Sequence, residues 1–176
     1  MSVKKISALF FIFSMAMTQY VMAHNLKPEK PLNWRTLADF LPDLDKWEKK
    51  GDLEGSTMKM GPQISQVEQN YTSGDINLKI MIVDAGAFPE FLFPIKMVLQ
   101  SEIDTSTEYI KPFDAGGHPG AEKYEFNKKR AEIIVLVASR FLLTLTAENL
   151  ELKATNDLML VLKLIDIAGL AKLADK

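Results

Sequence analysis

The sequence predicts an α+β fold, with helices packed on a mostly antiparallel sheet of about six or seven strands. Three observations carry the prediction. Short runs with two-residue hydrophobic alternation recur between turn clusters, two early stretches have helical spacing, and the chain ends in a long apolar run of helical period. The terminal run is so apolar around its circumference that it predicts a largely buried C-terminal helix.

Residues 1–23 stand outside that pattern. Lys4 and Lys5, an apolar stretch from Ile6 to Met17, and Val21 and Ala23 before His24 form the pattern of a cleaved signal peptide. The unbroken apolar stretch spans about 18 Å as a helix, short of a hydrocarbon core of about 30 Å. Residues 24–32 are polar and contain Pro28 and Pro31, which predicts a flexible leader. Residues 33–176 then form a single α+β domain.

Asn33 is placed to cap a short helix that puts Trp34, Leu37, Phe40 and Leu41 on one face and stops at Pro42. Trp47–Leu53 is a weak strand ending near Gly55. From Ile64 to Tyr71, Val67, Gln69 and Tyr71 share one side, with Ile64 out of phase. Thr72–Asp75 is a turn cluster, after which Ile76, Leu78, Ile80 and Ile82 alternate with polar residues. Helical spacing follows Pro94 at Ile95, Val98 and Leu99.

Short strands are expected at Tyr109–Phe113 and Glu122–Phe126, on either side of Gly116-Gly-His-Pro-Gly120. Ile133–Ala138 and Phe141–Thr146 read as an antiparallel pair turning at Ser139-Arg140. Leu142 makes the second of these apolar on both faces, as in a covered central strand. In the last element, from about Asn156 to Leu173, Leu158, Val161, Leu162, Ile165 and Gly169 form a stripe. Leu160, Leu164, Ile167 and Ala171 widen it.

Composition narrows the function classes. The 176 residues contain no cysteine, which excludes disulfide scaffolds, thiolate metal sites and cysteine nucleophiles. Lys+Arg number 21 against 23 Asp+Glu. Loss of the two signal lysines leaves a net charge of −4, which argues against wrapping nucleic acid. No later apolar run is long enough to span a membrane, so no integral span is expected after cleavage.

The run Gly117, Pro119, Glu122 and Tyr124, followed by Ala131-Glu-Ile133, Arg140-Phe141, Ile165-Asp166 and Leu170, resembles small exported bacterial proteins of unknown function. Over the C-terminal third, the resemblance implies an antiparallel sheet closed by a terminal helix, in PsbP/Mog1-like sandwich outline. It implies a binding or assembly module and transfers no catalytic residue.

The candidate site residues fall into three groups. His118 in its glycine loop, with Asp114, Gly116, Gly117 and Glu122, has the residue types of a ligand or acid–base loop. Phe88, Phe91 and Phe93 either plug the sheet end or line a ligand or partner groove. His24 as a mature N-terminus, with His118, suggests a copper site, and Met58 and Met60 are a weaker thioether pair. There is no serine elbow, phosphate loop or His-Glu-x-x-His motif.

The expected protein is a periplasmic or secreted, non-catalytic binding or envelope-associated accessory module. Its partner is an unknown protein or small ligand of the cell envelope, and no resident cofactor is implied beyond the copper alternative. The competing reading is a small periplasmic enzyme that uses His118 with a nearby carboxylate.

Overall fold

A computed structural model describes residues 30–58 and 63–174. The expected signal peptide, His24, most of the leader and Met60 lie outside the described residues. Helix α1 (Trp34–Ala38) precedes three strands, β1 (Glu48–Thr57), β2 (Ser65–Ser73) and β3 (Ile76–Asp84). A 3-10 turn over Pro89–Leu92 leads into α2 (Phe93–Val98). Five more strands follow: β4 (Ile103–Asp104), β5 (Glu108–Asp114), β6 (Pro119–Glu125), β7 (Arg130–Val137) and β8 (Phe141–Glu148). Helices α3 (Thr155–Leu162) and α4 (Ile167–Ala171) close the fold.

All eight strands join one sheet in the order β1-β2-β3-β8-β7-β6-β5-β4, with every neighbouring pair antiparallel. Two meanders, β1–β3 and β4–β8, are therefore joined by the pairing of β3 with β8. The antiparallel α+β class holds, but the expected count of six or seven strands does not. Strand β4 has only two residues, too few for alternation to register.

Alternation sorts the strands onto two faces. Leu78, Ile80 and Ile82 join Ile133, Val135, Phe141, Leu143 and Leu145 on one face, under α1, α3 and α4. On the other face Val83, Ile134, Leu136 and Leu142 meet Leu92 and Leu99 from the α2 region. Central β8 is buried on both sides, as Leu142 required. Ile64 precedes β2 and packs into the second cluster, which accounts for its phase. Asn33 Oδ1 accepts the Arg35 amide at 3.0 Å, so the short first helix starts where its cap predicts.

The expected largely buried C-terminal helix is not formed. Two helices replace it, and Leu160 and Leu164 are 57% and 62% exposed. The break has a local cause: Asp166 Oδ1 accepts the Gly169 amide at 2.8 Å and starts α4 as its cap instead of continuing α3. Leu158, Val161, Leu162, Ile165 and Leu170 remain buried. Among the described residues, no helix is long and apolar enough to cross a membrane.

The hairpin between β7 and β8 turns through three residues, Ala138 to Arg140, rather than at Ser139-Arg140 alone. Ala138 and Ser139 both have positive φ, 50° and 56°. Left-handed backbone costs a non-glycine residue about 1–2 kcal/mol. Arg140 holds this strained turn down. Its Nε and Nη2 donate to Oδ1 and Oδ2 of Asp84, both at 2.9 Å, and its carbonyl accepts the Ala85 amide at 3.1 Å. Asp84 is fully buried and also accepts the amides of Leu32 (2.8 Å) and Gly86 (3.0 Å). Nη2 of Arg140 reaches the Lys30 carbonyl at 3.3 Å. A Cβ at Gly86 would stand 2.8 Å from Arg140 Nε, so glycine is the residue this turn accommodates.

Breaking a buried ion pair leaves an uncompensated charge, at a cost of about 3–5 kcal/mol. Arg140→Ala should therefore lower urea-unfolding stability by that amount. The loss in Asp84→Ala/Arg140→Ala should be smaller than the sum of the two single losses. Ser139→Gly should act in the opposite sense, raising stability by about 1 kcal/mol in the same assay.

Candidate functional site

The loop from β5 to β6 consists of Ala115, Gly116, Gly117 and His118, because Asp114 pairs with Pro119 across the strands. Gly116 and Gly117 have φ of 70° and 89°, a backbone that residues with side chains rarely adopt. Asp114 Oδ1 accepts the Gly117 amide at 2.8 Å, and the Ala115 amide donates to the His118 carbonyl at 2.8 Å. One carboxylate oxygen of Asp114 is thus committed to shaping the loop.

His118 is half-buried, and its Nδ1 accepts the Ala138 amide at 3.4 Å. In the neutral ring, that bond leaves the N–H on Nε2. The strained β7–β8 turn therefore orients the histidine. No carboxylate of a described residue is hydrogen-bonded or ion-paired to it.

His118 lines a cavity of about 560 Å³ between this loop and the junction of α3 with α4. Phe113, Met159, Leu162, Ile165 and Ile167 supply its apolar surface. Asp114, Lys163 and Asp166 join His118 as its polar side chains. Asp166 Oδ1 is held by the Gly169 amide, and Lys163 is exposed and makes no ion pair among the described residues.

Of the loop residues singled out in the sequence, Asp114, Gly116 and His118 line this cavity, whereas Gly117 and Glu122 do not. Glu122 accepts a hydrogen bond from the Tyr109 hydroxyl instead. Tyr109 stacks with Tyr124, with ring centroids 6.1 Å apart. Burial, reinforced by the bond to Glu122, pushes the Tyr109 phenol above its ordinary range.

Phe88, Phe91 and Phe93 differ in burial. Phe88 is half-buried against the second hydrophobic cluster, beside the fully buried Leu92. Phe91 and Phe93 point outward, and Phe93 is 67% exposed. Met97, one helical turn beyond Phe93, is also exposed. The segment plugs the sheet with one side and presents an apolar surface with the other.

His24 and Met60 lie outside the described residues, and Met58 is exposed. Among the described residues, no group of three or more metal-ligating side chains converges. A second concavity, of about 480 Å³, lies over the face of the sheet that carries Lys79, Arg130, Glu132 and Thr146. The Nε of Arg130 there is buried without a hydrogen-bond partner among the described residues.

The helical wall of the His118 cavity was not anticipated. Lys163 and Asp166 lie at the break between α3 and α4, within a run whose hydrophobic spacing predicts one continuous helix. The Asp166-x-x-Gly169 cap was the available signal that the helix ends there. No family model, curated protein or solved structure matches the chain.

The phenols give a pH prediction. Tyr71 donates to the Pro42 carbonyl at 2.8 Å. Burial, with the Asp43 charge, pushes its pKa from 10.0 up to about 12. A raised pKa means that the folded chain holds the proton more tightly. This stabilisation should be fully present below pH 10 and lost as pH rises through about 12. Absorbance titration should show Tyr71 and Tyr109 essentially neutral at pH 10 in the folded chain, and about half-ionised there in denaturant.

Proposed function

We propose that the chain is an exported, envelope-associated protein that binds a small ligand without transforming it. The setting of His118 carries this reading. The imidazole lines a ligand-sized cavity but has no carboxylate partner among the described residues, and one oxygen of each nearby Asp holds a backbone amide. A catalytic histidine works through a positioned acid–base or nucleophilic relay, and among the described residues none is assembled around this ring. The cavity volume falls in the range of small-molecule sites, about 300–1,000 Å³.

Export rests on the basic, apolar and small-residue pattern of residues 1–23. In this reading, Phe91 and Phe93 belong to a separate apolar surface beside α2 and do not contribute to the cavity.

Expression of the full chain in a bacterial host tests the reading. Protein recovered from the periplasmic fraction should begin at His24. Native mass spectrometry should show a bound small molecule that is lost on denaturation. Retention of an intact residue 1–23 segment in the cytoplasm would overturn export. Ester or phosphoester turnover abolished by His118→Ala would overturn the non-catalytic assignment.

A further inference from the structure

We propose that the His118 cavity takes an amphipathic anion, a molecule with an apolar body and a carboxylate or phosphate head. This deepens the binding reading and rests on it. The body of the ligand is specified by Phe113, Met159, Leu162, Ile165 and Ile167, which give the cavity a mainly apolar wall. Such a wall favours removal of hydrocarbon from water, at about 25 cal/mol per Å².

The head is specified by what the polar side chains still have to offer. Asp114 and Asp166 each hold a backbone amide through Oδ1. His118 has Nδ1 occupied by the Ala138 amide, so Nε2–H is its remaining polar group and is a donor. Lys163 brings three ammonium donors with no ion pair among the described residues. The two uncommitted side-chain cation and N–H groups both call for an acceptor.

An anionic acceptor matches them best, because charge-assisted hydrogen bonds are roughly twice as strong as neutral ones. A cationic head would meet the Lys163 ammonium as a like charge. The remaining carboxylate oxygens of Asp114 and Asp166 oppose an anion, so the head must engage Lys163 and His118 in preference to those oxygens. Binding should weaken with added salt, as expected for an exposed ammonium.

Four ten-carbon probes separate the terms: decanoate, decyl phosphate, decanol and decyltrimethylammonium. Calorimetric titration of the mature chain should give affinities for both anions at least about tenfold above those of the alcohol and the ammonium. Amide NMR shifts should localise to residues 113–118 and 159–168. Lys163→Met, at an exposed position, should lower decanoate affinity about tenfold and leave decanol affinity unchanged.

Equal affinity for decanol and decanoate, or no loss in Lys163→Met, would overturn the anionic head while leaving the binding reading in place. Shifts confined to the Phe91–Phe93–Met97 surface would overturn the cavity as the site. A cavity that responds to none of the four probes would overturn the amphiphile assignment. A different small molecule retained by the native protein would then preserve the broader binding reading, and its absence would remove that too.

Discussion

The ion pair between Asp84 and Arg140 is the constraint on which the rest of the structure depends. Asp84 ends β3 and Arg140 immediately precedes β8, the two strands that join the two halves of the sheet. The same carboxylate accepts amides from the segment entering α1 and from the turn that leaves β3 towards α2. One buried group therefore fixes the approach of the N-terminal segment, the junction of the meanders and the exit to the opposite face. Its charge is tolerable inside the protein because every direction available to the carboxylate is met by a donor.

The influence of that pair extends to the cavity. Arg140 anchors a hairpin turn whose two preceding residues sit in left-handed backbone, and the first of them, Ala138, presents its amide to His118. The proton position on the imidazole is thus a consequence of a turn on a neighbouring hairpin, itself pinned from β3. The opposite wall has a separate origin in Asp166, which ends one helical direction and begins another. Two side-chain-to-backbone devices, at Asp114 and Asp166, both line the cavity.

Much of this architecture was legible in the residues. The alternation at Ile76, Leu78, Ile80 and Ile82, the phase break at Ile64 and the doubly apolar Leu142 each report which face a side chain occupies, and the packing bears them out. The limits are equally physical. Strand β4 is shorter than the period needed to recognise it. The terminal apolar run concealed a helix break, because hydrophobic spacing does not register the competition of one Asp side chain for a backbone amide. Arg140 read as a turn residue because its partner lies 56 positions away. Only the glycine-loop half of the cavity could be found from local spacing. The other half depends on how the last helices pack.

The junction of the meanders also sets the order in which the chain can mature. Strand β3 pairs with β2 through a two-residue turn, so the first hairpin needs only local contacts. Its other edge must wait for β8, which arrives after the whole second meander has been synthesised. Until then β3 presents unsatisfied backbone groups along an alternating Ile and Leu face, a template for pairing with another chain. The most association-prone form of this protein is consequently the half-made one. The event that ends its vulnerability is the closing of a seam between two pieces of sheet, more than the formation of either piece.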